Sequence, residues 1–160
     1  MISRLRRLLT QSEAPSPGRR AADELRLAAA ALLVEAARMD GEIGAAERAT
    51  IGDLLRRQFG LEDEEVAELI DMAEAAAMRS TQIFAFTQAV KNGYDAEERV
   101  AMIEMLWEVA YADGELHHYE ANLLRRIAGL IHVPDPVSGA ARKRVLARLG
   151  LDGAADEAER

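Results

Sequence analysis

The chain has 160 residues, of which 49% are hydrophobic and only 4% aromatic, and its net charge is −8. This length suffices for one domain with a sizeable core. The excess of acidic residues argues against nucleic acid as a partner, because such binding depends on basic contacts to phosphate. The absence of cysteine excludes disulfides, thiolate metal sites and cysteine nucleophiles.

The N-terminal residues 1–19 are predicted to form a short basic amphipathic helix and a linker. Residues 2–10 interleave apolar side chains with three arginines, and SEAPSPG at 12–18 has the Pro, Ser and Gly content of a linker. Neither a secretory signal pattern nor a long apolar stretch occurs here. Two interpretations stay open: the helix docks back on the body or frays, or residues 1–10 make a weak peripheral contact with an anionic membrane surface.

Residues 20–150 are predicted to form one compact all-α domain. Apolar residues recur at helical spacing in seven segments, at 20–39, 45–59, 62–78, 81–91, 95–112, 117–131 and 138–149. The Ala- and Leu-rich composition suits closely packed helices, and nothing is typical of a run of strands. We therefore expect a bundle of six or seven helices, followed by an acidic, flexible tail at 151–160.

Glycine, proline and capping residues mark the predicted helix ends. Left-handed C-caps are favoured just past a helical run, where the chain has Gly41, Gly60, Gly93 and Gly114. Good N-cap residues precede two of the helices, at Ser80 and Asp95. The prolines of VPDP, 133–136, are expected to separate the last two helices.

Acidic residues are concentrated at 62–74, which hold seven acids and no base. A solvated helix face explains this pattern. The alternative is a docking face for a basic partner or for cations.

A helix, an Asp-Gly corner and a second helix occur twice, 73 residues apart. LVEAARMDGEIGAAE at 33–47 aligns with LWEVAYADGELHHYE at 106–120, and the apolar pattern continues beyond each corner. The bundle is therefore predicted to contain two related helix–turn–helix halves, with segments 28–60 and 101–133 as the repeat.

The repeated corner has a structural interpretation. A glycine lets the first helix end in a conformation that other residues resist, and an apolar residue two positions later fills the corner. Glu47 and Glu120 then fall in the first turn of the incoming helix, where each can accept a backbone N–H as in a capping box.

The corner also has a functional interpretation as a cation site. Clustered carboxylates at Asp40, Glu42, Asp113 and Glu115 suit hard cations such as Ca²⁺ or Mg²⁺. His117 and His118 could add nitrogen ligands for a softer metal, or simply be exposed polar surface. A complete EF-hand calcium loop is excluded, because its first two ligand positions would be Ala36 and Arg38 in the first copy and Val109 and Tyr111 in the second.

Two copies of A-x-x-D-G-x-[IL]-x-x-x-E, in AARMDGEIGAAE and VAYADGELHHYE, resemble the TerB family of tellurite-resistance-associated proteins. The same domain type occurs at the N-terminus of the co-chaperone DjlA. The resemblance covers roughly residues 20–135 and implies a compact all-helical fold. It also implies a divalent-cation site, suspected in the family, whose acidic positions map here to Asp40, Glu47, Asp113 and Glu120. The chain lacks the His-Pro-Asp tripeptide of the co-chaperone's J-domain and its membrane anchor.

These observations favour a soluble, cytoplasmic, non-catalytic binding module over an enzyme. Gly-x-Ser-x-Gly, His-Glu-x-x-His and phosphate-cradling glycine loops are absent, and no stretch approaches the ~20 apolar residues of a membrane span. We expect an unidentified protein partner, an association with tellurite resistance or stress response, and a divalent cation, Ca²⁺ or Mg²⁺, as the candidate cofactor. The alternative is a co-chaperone-type accessory domain acting only through protein contact.

Overall fold

The computed structural model describes residues 17–38, 43–79, 83–114 and 118–151, and these residues form helices joined by short connections. Seven helices occur in these residues: α1 Pro17–Ala37, α2 Ala45–Phe59, α3 Asp63–Arg79, α4 Ile83–Gly93, α5 Ala96–Ala110, α6 His118–Leu130 and α7 Asp135–Leu149. The predicted all-α bundle of six or seven helices is therefore confirmed for this part of the chain. None of these helices is long and apolar enough to cross a membrane.

Helix α1 is the central element of the bundle, since it packs against α2, α3, α4, α5 and α6. Its middle is apolar on every side: Ala28 to Ala31 are at most 3% exposed, and Leu32 to Val34 are fully buried. A helix that is hydrophobic all round belongs in a core. Four consecutive alanines leave room for several neighbouring helices to approach without disturbing helical geometry.

The predicted repeat is visible in the helix boundaries. Helix α1 ends at Ala37 and α2 begins at Ala45; 73 residues later, α5 ends at Ala110 and α6 begins at His118. Equivalent core positions are also buried alike, because Leu33 and its counterpart Leu106 are both fully inaccessible. The two halves therefore share the helix–corner–helix plan, while α3 and α4 connect them.

Several predicted helix ends are confirmed. Asp95 forms a complete capping box: its Oδ1 accepts the Glu98 N–H at 2.8 Å, and its own N–H donates to Glu98 Oε1 at 3.0 Å. Gly60 and Gly114 adopt left-handed conformations, with φ of 63° and 86°. Gly41 and Ser80 lie outside the described residues, as do the N-terminal helix at 2–10 and the tail from 152 onward.

The left-handed C-cap predicted at Gly93 is wrong. Gly93 is the last residue of α4 and is absent from the described glycines with positive φ. Its importance is instead steric, because a Cβ there would lie 2.9 Å from both Leu25 methyl carbons. Glycine at this position permits the close approach of α4 to α1.

Helix α7 begins three residues before the predicted start at 138. Pro134 is its N-cap and Pro136 lies in the first turn, where a missing N–H breaks no helical hydrogen bond. The prolines of VPDP thus start the last helix as well as ending the previous connection. Just before them, His132, two residues past the end of α6, has a φ of 62° and an exposed side chain.

Candidate functional site

A shallow groove of about 350 Å³ lies beside the second Asp-Gly corner. One wall is a stripe on α2, formed by Thr50, Asp53 and Arg57, whose spacing of three and four residues places them on one helix face. The other walls are the end of α5 with its corner, and the chain at Leu149 and Leu151. The groove therefore joins the first half of the repeat, the second half and the last helix.

The corner itself is held by backbone hydrogen bonds. The N–H of Tyr111, the C-cap of α5, donates to the Trp107 carbonyl at 3.0 Å, and the Gly114 N–H donates to the Tyr111 carbonyl at 2.9 Å. Gly114 completes this turn in the left-handed region, at a φ of 86°. The prediction of positive φ at one or both corner glycines is confirmed at Gly114.

Replacing Gly114 with alanine should lower the free energy of unfolding by roughly 1 kcal/mol, the usual size of a left-handed penalty. A Cβ there would meet nothing within 4 Å, so the loss reports backbone strain alone. Gly129→Ala is the matched control, because Gly129 lies in α6, where a Cβ also meets nothing, and alanine should stabilise a helix by about 0.5–1 kcal/mol. Urea unfolding measures both, and equal effects of the two substitutions would contradict this account.

Below the groove, Tyr111 belongs to a buried cluster with Trp107 and Arg142. The Arg142 guanidinium carbon lies 5.2 Å from the Trp107 ring centroid and 5.9 Å from that of Tyr111. Its Nε–H donates to the Tyr111 hydroxyl at 3.0 Å, and the arginine is only 8% exposed. The cluster holds α7 against the corner. It was not predicted from the sequence, because nothing in the sequence distinguishes Arg142 from the other arginines of α7.

Carboxylates on α5 form a ladder of ion pairs with arginines around the groove. Glu108, only 14% exposed, pairs with Arg148 at 2.6 Å and with Arg57 at 3.6 Å. One turn earlier, Glu104 pairs with Arg144 at 2.9 Å and with Arg148 at 3.4 Å. The arginines are about half exposed or more, so each pair contributes little to stability, but together they set the charge at the groove's edge.

Glu47 and Glu120 occupy equivalent places, in the first turns of α2 and α6. The Glu47 carboxylate folds back over Gly44, so closely that a Cβ on Gly44 would collide with it. A side chain at this cap would therefore displace the flexible Glu47 carboxylate. Glu120 is only 8% exposed and so does not point freely into water; residues 115–117, whose backbone it was predicted to cap, lie outside the described residues.

The structure does not gather the predicted metal ligands that it describes into one cluster. Asp113 is exposed at the corner, and no three or more His, Asp or Glu side chains in the described residues are arranged to hold a metal ion. Asp40, Glu42, Glu115 and His117 and the side chain of His118 lie outside those residues. The cation site at Asp40, Glu47, Asp113 and Glu120 therefore stays a prediction.

The acidic stretch at 62–74 faces basic side chains of α2. Arg48 pairs with Glu74 at 2.6 Å and Asp71 at 3.7 Å, and Arg56 pairs with Asp63 at 2.6 Å. Part of the acidic surface is thus neutralised within the fold, at exposed pairs of low individual strength.

Glu35 occupies the position in the first half that Glu108 holds in the second. Burial raises the pKa of the Glu35 carboxyl, and Arg38, whose Nη1 lies 3.6 Å from Oε1, opposes this only in part. The folded protein therefore holds this proton more tightly than the unfolded chain, and its stability falls as the pH rises from 4.5 through the raised pKa.

Glu35→Gln should accordingly gain stability relative to the wild type as the pH rises from about 4 to 7. Thermal midpoints across this range measure the difference. Glu24→Gln, at an exposed position of the same helix, is the control, and a parallel response of the two variants would contradict the assignment to burial.

A comparison with known families follows from this architecture. No curated protein and no solved structure matches the chain. The family model described as tellurite resistance protein TerB matches residues 26–143, which span from α1 into α7. The chain, with its two helix–corner–helix halves, therefore belongs to the TerB family.

Proposed function

We propose that this TerB-family chain is a non-catalytic binding module that meets a protein partner through the groove at the second corner. The observation that carries the proposal is Leu149, a large apolar side chain that is 42% exposed and lines a concave surface. Concave sites that combine apolar walls with a few polar groups are typical binding sites. The expected cellular setting, tellurite resistance or another stress response, comes from family membership alone.

The chemistry around the groove fits recognition better than catalysis. Its charged side chains are engaged with one another: Glu108 with two arginines, and Asp53 with Arg56 at 2.8 Å. Such pairs can exchange partners with charged groups on a docking protein and fix its register. A nucleophile paired with a base, the arrangement that covalent catalysis requires, is not formed by the described residues that line the groove.

Partner capture with a groove variant tests this function. Leu149→Asp places a charge in the groove, whereas Phe84→Asp makes the same change at a 61% exposed side chain that does not line it. A protein retained by the wild type and by Phe84→Asp, but lost with Leu149→Asp, would support the proposal. If Leu149→Asp retains every protein that the wild type retains, while circular dichroism shows it folded, the groove is not the docking site.

A divalent cation at the corners is the second candidate, and it rests on the paired acidic positions of the family motif. Calorimetry with Ca²⁺, Mg²⁺, Mn²⁺ and Zn²⁺ separates this module from an accessory domain that acts only through protein contact. The single tryptophan, Trp107, provides a second readout, since its ring centroid lies 6.3 Å from that of Tyr111 at the corner.

Glu120 variants decide between a cap and a ligand. A cap accepts either side chain, so Glu120→Gln should be mild while Glu120→Ala should cost ~0.5–2 kcal/mol. A hard cation instead needs the charge of the carboxylate. Thermal midpoints are compared with and without Ca²⁺ or Mg²⁺. We expect no effect of cation; a rise with cation that Glu120→Gln abolishes would establish the corner as a metal site.

A further inference from the structure

We infer that the groove at the second corner receives the C-terminus of the partner protein, with the terminal carboxylate on Arg57 and a large aliphatic last side chain against Leu149 and Leu151. This inference rests on the proposed function, since it names the part of the partner that enters the same groove. It follows from the charges that line the groove and from the size of the groove.

Both carboxylates that line the groove are already held by arginines. Asp53 Oδ1 accepts a hydrogen bond from Arg56 Nη1 at 2.8 Å, and Glu108 Oε1 accepts one from Arg148 Nη2 at 2.6 Å. Neither arginine is among the described residues that line the groove. A cation on the partner would have to compete with these bonds, so the groove does not favour a basic partner.

Arg57 is the cation of the groove, and it is held less closely than the carboxylates. It lines the groove with a side chain that is 68% exposed. Its ion pair with Glu108 has an N–O distance of 3.6 Å, which is longer than a hydrogen bond. Within the described part of the chain, the Arg57 guanidinium makes no hydrogen bond. Its N–H donors are therefore available to a ligand.

The ion-pair ladder around the groove has more arginines than carboxylates. Glu104 and Glu108 are shared by three arginines, which are Arg57, Arg144 and Arg148. One positive charge is therefore in excess, and the longest of these pairs is the one that Arg57 makes. A guanidinium can bind a carboxylate through two parallel hydrogen bonds. The ladder thus favours a partner that brings a carboxylate to Arg57.

The size of the groove and its apolar wall favour the end of a chain. A volume of about 350 Å³ is at the small end for a binding site, and a whole helix, roughly 10–12 Å across, is too wide for it. Leu149 is 42% exposed, and Leu151 is partly covered, so both can bury an aliphatic side chain. A C-terminal residue carries its carboxylate and its side chain on one carbon, and so presents both groups within a small volume.

Two peptides that differ only at the C-terminus test the inference on the full chain. Acetyl-Gly-Ser-Gly-Ala-Leu is titrated with a free carboxylate and again with a terminal amide. Binding is followed through the amide signals of Thr50, Gly114 and Leu151 at the groove. We expect the free acid to bind about fivefold more tightly, the upper end for an exposed ion pair. This difference should shrink at about 1 M salt, where the Debye length is about 3 Å.

Arg57→Gln should remove the preference for the free acid and leave the weaker binding of the amide unchanged. Arg125→Gln, the same substitution at an exposed arginine of α6 that does not line the groove, is the matched control and should keep the preference. Equal binding of the two peptides to the wild type, or a preference that survives Arg57→Gln, would overturn the inference. So would equally tight binding of an amidated peptide with an internal aspartate, because the groove would then recognise an acidic side chain rather than a chain end.

The outcome of the titrations is separate from that of partner capture. If Leu149→Asp loses a partner but the wild type does not distinguish the two peptides, the groove docks its partner by other chemistry, and only the inference fails. If neither peptide shifts the groove signals and Leu149→Asp retains every protein that the wild type retains, the proposed function fails as well.

Discussion

Replacing Arg142 with alanine is expected to lower the free energy of unfolding by about 2–4 kcal/mol. A desolvated cation over aromatic rings is worth about 2 kcal/mol, and the hydrogen bond to Tyr111 adds about 1 kcal/mol. Both are lost together with the volume of a side chain that is only 8% exposed. Urea unfolding followed by circular dichroism measures the loss without relying on Trp107, which touches the substituted residue.

Arg142→Met separates the charge from the volume. Within the described part of the chain, Arg142 Nη2 is buried without a hydrogen-bond partner. The guanidinium has therefore lost a hydrogen bond to water that the protein does not replace. Methionine keeps much of the packing but loses the cation over the rings and the hydrogen bond to Tyr111, so we expect it to recover only the smaller part of what alanine loses. If Arg142→Met is as stable as the wild type, packing rather than the charge on the rings holds α7 to the corner.

The second large effect is expected at two equivalent core positions. Leu33→Ala and Leu106→Ala should each lower the free energy of unfolding by about 2–5 kcal/mol, the range for truncating a buried leucine. Both side chains are fully inaccessible and lie 73 residues apart in the repeat. Leu149→Ala, at a side chain that is 42% exposed, is the control, with an expected loss of under about 1 kcal/mol.

Chemical denaturation of the three variants on one scale checks this expectation. A large difference between Leu33→Ala and Leu106→Ala would show that the two halves of the repeat relax to different extents into the cavity left by the leucine, although the two side chains are equally buried. A control as costly as the two core variants would show that Leu149 belongs to the core rather than to an exposed groove wall.

Much of the fold could be predicted because local rules and packing agree along this chain. Apolar spacing located all seven described helices, and the N-cap at Asp95 and the left-handed turns at Gly60 and Gly114 followed from residue type. Gly93 was misjudged because glycine also occurs where two helices approach closely, and only the structure shows that Gly93 lies against Leu25. The start of α7 was predicted three residues too late because a proline can either end a helix or occupy the first turn of the next one.

The candidate site was less predictable, because it depends on which helices become neighbours. Asp53, Glu108 and Leu149 come from three helices and have no common sequence pattern, so their groove could not be inferred from spacing. The Asp-Gly corner was found from its repetition. The repeat gives no information on Arg142, because that residue lies in α7, outside both halves. Residue types reveal local geometry, whereas a concave surface between distant segments depends on tertiary packing.

The central position of α1 has a consequence for protein synthesis. Helix α1 is translated before every helix that packs against it, and α3 and α4 make the most extensive contacts with it in the finished bundle. Until those helices leave the ribosome, an apolar surface remains open on the nascent chain, and such surfaces promote aggregation. The first half of the repeat, α1 with α2, therefore leaves much of the apolar surface of α1 uncovered until α3 and α4 have been made.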